Sequence, residues 1–528
     1  MITEDQTDIV KFLSQAGSYG LPGPVEFIET HISRIFLVGD RAFKMKRAVK
    51  LPYVDFSTAG LRLGYCEKEV ALNGASAPGL YLGVRPIMRG QDGQLHFGGK
   101  GEVVDAVVEM VRFDQALLAD RLATAGKLTP ELMTRTARMI AGFHQAAPAI
   151  QGDCGADNIA AVLSINEAGF ATSHLFEPGA VRKLSDLFRD RLAIHAARLD
   201  RRHAAGKIRR CHGDLHLRNI CILNGEPRLF DCIEFNDQIA TVDTLYDLAF
   251  LLMDLWHRGF PHYSSLVANR YLDHVDDEDG FVLLPFFLAL RAAVRAHVIA
   301  TQVEEGSTIA EALTAEAKSY FSLARDLLGE RQPQLIAIGG LSGSGKTTLA
   351  DALAPFVGMP PGARVIESDR VRKAMHGVDA ETHLPAAAYR PDISERVYRE
   401  IARRAGSILK DGGTVVADAV FDRLASRELI EMAALIHNVP FTGVWLKGEP
   451  EILRERVAAR KGGPSDADLG VLNVQLANEP HTIGWQSLNA AQPISELVGK
   501  IRAQANLGRE PMVANLTGQA YSHENQLA

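Results

Sequence analysis

The sequence predicts two unlike folds in series, an α+β part of two lobes followed by an α/β part on a parallel sheet. Three observations predict this. Residues 25–112 are mostly short, β-rich runs. From about residue 113 the apolar spacing turns helical. From residue 334 strands and helices alternate, as βαβ units do. A chain of 528 residues also exceeds what one core holds. The expected division is residues 1–328, with a small lobe at about 25–112 and a helical lobe at about 113–328, then residues 334–500. Residues 501–528 are polar and aperiodic and read as a loose tail.

The elements follow in order. "EFIETHIS", "RIFLVGD" and "RAFKMKRAVK" are predicted strands, with a Gly-Asp turn between the last two. "LRLGYCEKEVALNGAS" takes a helical period, and "GLYLGVRPIM" and "VVDAVVEMVRF" return to strand. "TPELMTRTARMIAGFHQAA" opens on Thr-Pro with Glu in the first turn, which marks a helix start. "FVLLPFFLAL" is the most apolar run; it is too short for a bilayer and reads as a core helix. The acidic run "DHVDDEDG" reads as a solvated loop. Past the linker, "LIAIGG", "ARVIESD", "TVVADAVF" and "FTGVWLKG" are strands with amphipathic helices between them.

Composition narrows the function. The net charge is −7, so the chain has no global attraction for nucleic acid. Five cysteines without a C-x-x-C pair argue against a zinc site or disulfide framework and for a reducing compartment. The acidic start "MITEDQTDIVKFL" lacks the apolar core of a signal peptide. A cytoplasmic protein with no membrane partner is expected. Oligomeric state leaves no sequence signal.

Gly340 to Thr347 reads G-L-S-G-S-G-K-T and fits G-x-x-x-x-G-K-[ST], between an apolar strand and a helix. The glycines Gly340, Gly343 and Gly345 let backbone N–H groups, including that of Ser344, turn around phosphate oxygens, and the helix start at Thr347 and Thr348 adds its dipole. Lys346 is expected to reach the β- and γ-phosphates of ATP, and Thr347 to ligate Mg²⁺. Asp369, at the carboxyl end of "VIESD", faces the ligand crevice of such a sheet and suits a base for an acceptor hydroxyl; the competing reading is an N-cap. Arg372, one turn on, suits an anionic acceptor. Asp418 holds the place of a second metal-side acid, toward Mg²⁺ or toward the acceptor. Arg454, Arg456 and Arg460 lie on a helix leading into a Gly-Pro-Ser loop. Arg456 and Arg460 share a face and suit a lid that neutralises charge during transfer; the competing reading is a solvated basic helix.

A second set of phosphate-handling residues lies upstream. "HGDLHLRN" contains H-G-D-x-x-x-x-N from His212 to Asn219. Asp214 suits a base for a hydroxyl and Asn219 a Mg²⁺ ligand. A hairpin turning at Asn224-Gly225 returns Asp231 beside Asn219 as a charged second ligand.

The C-terminal part resembles the small P-loop kinases, among them gluconate kinase, chloramphenicol phosphotransferase, zeta-toxin-like kinases and polynucleotide 5′-kinase. The resemblance implies a P-loop NTPase fold. The upstream part resembles the aminoglycoside phosphotransferase and choline kinase branch of the protein-kinase-like fold, on "HGDLHLRN", "LFDCIEF" and "DTLYDLAFLL". That resemblance implies a bilobal fold over roughly residues 25–320, with Asp243 and Asp247 bracing the catalytic loop and His212 and His216 supporting it. It also implies a strand lysine on the α- and β-phosphates held by a helix glutamate. Lys44 or Lys46 and Glu67 or Glu69 are available, and Lys44 with Glu69 is favoured from the flanking apolar residues. The backbone of Glu109–Val111 would meet adenine. Arg218 departs from the family pattern, which has a small residue before the metal asparagine.

The expectation is a bifunctional ATP- and Mg²⁺-dependent phosphotransferase acting on hydroxyls of small-molecule acceptors. Two alternatives stand beside it. In one, the N-terminal half binds nucleotide or ligand without catalysis. In the other, the acceptor is a nucleic-acid 5′-hydroxyl, which the net charge opposes.

Overall fold

The computed structural model describes residues 3–51, 54–152, 154–304, 310–480 and 483–505. They form two compact units: residues 3–158 with 199–251, and residues 159–198 with 252–505. These units divide at other places than the linker expected at 328–334.

The first unit is built on a six-stranded antiparallel sheet. Its order across the sheet is Val25–Glu29, Ser33–Val38, Arg41–Lys46, Glu102–Val111, Tyr81–Arg89 and Leu95–Phe97. Period-two alternation sends Phe36, Phe43 and Met45 into a cluster with Ile9 and Leu13 of the helix Thr7–Leu13. It sends Leu37, Ala42 and Val108 to the other face, against Cys66 of the helix Ala59–Ser76. Lys44 and Lys46 stand on this second face. The strands Ile220–Leu223 and Glu226–Leu229 form the expected hairpin, with Asn224 at φ 53° and Gly225 at φ 80°, the positive values a type I′ turn needs.

The second unit carries a five-stranded, fully parallel sheet. Its order is Arg364–Glu367, Val415–Asp418, Leu335–Gly340, Phe441–Lys447 and Gln486–Asn489. The last strand has no apolar run and was not legible. Ile336, Ile338 and Val416 pack with Leu349 and Leu353 of the helix Lys346–Leu353 and with Leu497 and Ile501 of the helix Ile494–Gln504. That last helix covers residues 501–504, the start of the expected tail; residues 506–528 lie outside the described residues. The apolar run near residue 285 is longer than its sequence core suggested. Glu278–Glu304 is long and apolar enough to cross a membrane, and 72% of its most apolar window is buried inside the protein.

One expectation is corrected here. The run "DHVDDEDG" is not a solvated loop. Asp273 and Glu278 are largely buried and pair with Arg364 at 2.8 and 3.0 Å. Arg364 opens the strand at the sheet edge. The adjoining helix Pro261–His274 completes that edge: Asn269 accepts a hydrogen bond from the Val365 N–H at 2.7 Å and donates to the Ala363 carbonyl at 3.1 Å. A side-chain amide thus stands where a further strand would pair.

Candidate active sites

In the first unit the strand lysines converge on one carboxylate. Lys44 Nζ lies 2.9 Å from Glu69 Oε1, and Lys46 Nζ lies 2.6 Å from Glu69 Oε2. Glu69 is fully buried, while Glu67 is exposed. Burial opposes the charge on Glu69, but the two ammonium groups outweigh it and hold the carboxyl at about 2. Lys44 also pairs with Asp231, and Lys46 with Glu234. The sequence reading missed Glu234, although it sits three residues past Asp231 in "LFDCIEF".

Asp231 has φ 62°, a left-handed conformation that is uncommon away from glycine. It is fixed by neighbours: Tyr81 Oη accepts from the Asp231 N–H at 3.0 Å, and Asn73 Oδ1 accepts from the Cys232 N–H at 3.0 Å. Asn219 Nδ2 donates to the Asp214 carbonyl at 2.9 Å and to Asp214 Oδ2 at 3.0 Å, so the proposed base and metal asparagine adjoin. His216 Nε2 lies 3.3 Å from the same Asp214 oxygen. Asp247 braces the loop by accepting from the N–H groups of His212 and Gly213 at 3.2 and 2.8 Å. Asp243 instead clamps Arg202, at 2.6 and 2.8 Å. Arg218 points to Asp120, 3.7 Å away.

On the Lys44 face of the sheet a cleft of about 430 Å³ is lined by Ile28, Leu37, Arg112, Phe113 and Asp114. The expected adenine contact, Glu109–Val111, lies on backbone that pairs within the sheet. Glu109 pairs with Phe43 on one side and Gly83 on the other, and the Val111 N–H bonds the Leu80 carbonyl. The strand runs through Val111, and the cleft is lined next by Arg112, whose N–H bonds the Asp40 carbonyl at 2.9 Å.

In the second unit the glycine loop has the shape its sequence requires. Gly343 and Gly345 have φ 82° and 88°. A Cβ on Gly343 would lie 2.7 Å from the Leu453 carbonyl oxygen, and one on Gly340 would lie 2.7 Å from that of Leu446. Ser344 Oγ is buried and has no hydrogen-bond partner. The Ser342 N–H bonds Gln475 Oε1 at 2.8 Å. Thr347 Oγ1 donates to Asp418 Oδ2 at 2.6 Å and lies 3.4 Å from Glu367 Oε1. Burial raises the Asp418 carboxyl to about 6 and the Glu367 carboxyl to about 8. Burial likewise lowers the Lys346 ammonium, against the pull of Asp418 and Asp369. Glu367 went unread; its place at the end of the strand before Asp369 was the available signal.

These groups line one cleft of about 1270 Å³, together with Asp369, Arg372, Arg456 and Arg460. Asp369 is not an N-cap; it lies inside the helix Ser368–Met375, and burial raises its carboxyl despite nearby Ser465 and Arg372. Arg372 donates to the Ala388 carbonyl at 2.8 Å and stacks 4.6 Å from the Tyr389 ring, and its buried Nε has no partner. The arginine helix Pro450–Ala459 ends before Arg460, so Arg456 and Arg460 do not share a helical face as expected. Arg456 donates to the Ala490 carbonyl at 3.1 Å and Arg460 to that of Ala467 at 3.5 Å. Arg454 is paired with Glu451 at 3.5 Å and is absent from the cleft lining. The loop after this helix is tied to the helix Ser368–Met375 and its neighbour: Asp466 accepts from Lys373 at 2.8 Å and from Tyr389 at 2.6 Å.

The residues present fit a magnesium-bound nucleoside triphosphate. The second site offers a glycine cradle that a Cβ would fill, an unpartnered serine hydroxyl and hard oxygen donors around Thr347. The first offers Asp231 beside Lys44, and Asn219 beside Asp214.

Comparison with known proteins finds one family match over each motif. Residues 97–281 match the family model of the phosphotransferase enzyme family, and residues 335–480 match that of an AAA domain. An uncharacterized protein of Mycobacterium tuberculosis strain H37Rv is 27% identical over 485 residues, covering 90% of this chain and 94% of the relative. A cytidylate kinase of Methanopyrus kandleri is 30% identical over 131 residues, 24% of this chain and 63% of that protein. Among solved structures, a choline/ethanolamine kinase family protein from Mesorhizobium loti is 13% identical and covers 60% of this chain and 97% of its own, with a TM-score of 0.38. A gluconokinase from Sinorhizobium meliloti 1021 is 23% identical and covers 33% and 93%, with a TM-score of 0.25. The chain joins a phosphotransferase-family domain to an AAA-type P-loop kinase domain.

Proposed function

We propose that the protein is a bifunctional ATP-dependent phosphotransferase whose two sites each phosphorylate a hydroxyl of a small molecule. The observation that supports this reading is that each unit gathers a lysine and carboxylates: Lys44 with Glu69 and Asp231 in the first, and Lys346 with Asp418 and Asp369 in one cleft in the second. In the second unit, the loop N–H groups and Lys346 bind the phosphates, and Thr347 with Asp418 holds the metal. Asp369 takes the proton from the acceptor hydroxyl, and its raised carboxyl suits that task. Arg372 orients the acceptor, while Arg456 and Arg460 face the charge that develops during transfer. In the first unit, Lys44 held by Glu69 binds phosphate, Asn219 and Asp231 hold the metal, and Asp214 is the base. Bound Mg²⁺ supplies charge neutralisation on the triphosphate at both sites. A cytoplasmic setting agrees with the free cysteines, four of them buried.

ATP consumption by Asp214→Ala and Lys346→Ala variants of the full chain, screened against a hydroxyl-metabolite library, tests the reading. Each variant should lose one acceptor activity by at least about 100-fold and keep the other. Loss of all turnover in Lys346→Ala with none in Asp214→Ala would make the first unit a non-catalytic binding module. Label transfer to a 5′-hydroxyl oligonucleotide would replace the small-molecule acceptor.

A further inference from the structure

The P-loop site has a carboxylate that neither motif supplies. Glu367 Oε1 faces Thr347 Oγ1 at 3.4 Å, and Thr347 in turn donates to Asp418. The hydroxyl therefore sits between two carboxylates. Glu367 lines the same cleft as Asp418 and Asp369. Its other oxygen, Oε2, accepts from Arg370 Nε at 2.9 Å. Arg370 Nε also lies 3.4 Å from Asp273 Oδ2. Asp273 is fixed in turn, with Arg364 at 2.8 Å on its other oxygen and Arg270 at 3.5 Å. Arg270 continues to Asp351, at 2.6 Å, on the helix that follows the glycine loop.

Arg270 and Asp273 belong to the helix Pro261–His274, which lies within the stretch matching the phosphotransferase family. We propose that Arg370 and Asp273 are positioning residues for the P-loop site, holding Glu367 as a third hard oxygen donor beside Thr347 and Asp418, so that a helix from the upstream domain's sequence tunes metal binding in the downstream kinase. The arrangement is physically reasonable. A divalent cation with oxygen ligands gains from an added carboxylate only if that group stays oriented and does not turn onto Lys346. A guanidinium in fixed geometry, itself pinned by a second carboxylate, provides that orientation. This inference rests on the P-loop reading given above.

The test uses the full chain carrying Asn219→Ala and Asp231→Ala, which removes the metal ligands proposed for the first unit, so that the P-loop site is read. Binding of Mn²⁺ with a non-hydrolysable ATP analogue is followed by electron paramagnetic resonance and calorimetry, and the Mg²⁺ dependence of ATP turnover is measured alongside. Arg370→Gln and Asp273→Asn should each weaken metal binding about 10- to 100-fold, the range for residues that orient metal ligands. Arg370→Lys should recover part of it. Glu367→Gln should show the same loss, with Arg370→Gln adding nothing to it. Glu278→Gln, in the same ion network but not on the path to Glu367, should lower the melting temperature without moving metal affinity. Wild-type affinity in Arg370→Gln and Asp273→Asn, or full additivity with Glu367→Gln, would overturn the positioning role alone. Absence of metal-nucleotide binding in the parent protein would remove the P-loop reading and this inference together.

Discussion

At the scale of residues, the clearest chemistry is charge placed where water is excluded. Glu69 serves two buried lysines, and removing its charge leaves each with one acidic partner. Glu69→Gln should destabilise the protein by about 3–5 kcal/mol, the usual consequence of breaking a buried ion pair, as measured by denaturant unfolding. The pH dependence has a fixed sign. Glu69 is held at about 2 when folded, against about 4.3 in an open chain. Its contribution is complete above the unfolded value and is lost as pH falls from there toward about 2. Glu69→Gln should therefore flatten that acid limb of the stability curve. The choice of Lys44 and Glu69 was legible because alternation and flanking apolar residues mark the inner face. The shared use of Glu69 by Lys46 was not, since pairing across 23 residues depends on how the helix seats on the sheet. Glu367 was hidden for a different reason: a lone glutamate beside a motif aspartate becomes informative only when Thr347 is seen beside it.

At the scale of elements, strands with strong alternation, the glycine loop and the Asn224-Gly225 hairpin were readable because local backbone chemistry decides them. The short strand Gln486–Asn489 and the end of the arginine helix before Arg460 were not, since tertiary pairing decides those. The acidic run at residues 273–280 looked solvated because its partner, Arg364, lies some ninety residues away. The helix Pro261–His274 illustrates what such an element does. Its Asn269 satisfies the Val365 N–H and the Ala363 carbonyl at the sheet edge. Asn269→Ala should cost about 1–3 kcal/mol by leaving buried backbone groups unpaired. Faster hydrogen exchange at Val365 than at the central strand Leu335–Gly340 would report the same change. Unaltered exchange there would mean that the amide is not what closes the edge.

At the scale of the whole molecule, the two families were legible from two short motifs, since each motif fixes a loop between defined elements. The extent of the compact units was not, because the second unit gathers residues 159–198 and 252–327 in addition to the P-loop segment. A fragment spanning residues 334–505 should consequently fail as an independent protein. It would lose Asn269, Asp273 and Glu278, leaving Arg364 uncovered and without its acids and the parallel sheet with a bare edge. Size-exclusion chromatography should find it aggregated, whereas a monomer melting near the full chain's temperature would count against this view. The covered edge also bears on ancestry. A gene split near residue 330 would part the P-loop segment from the helix that covers its sheet edge, so selection would keep the reading frame intact or keep both pieces co-expressed. Solubility then gives the fusion a reason that needs no metabolic link between the two halves.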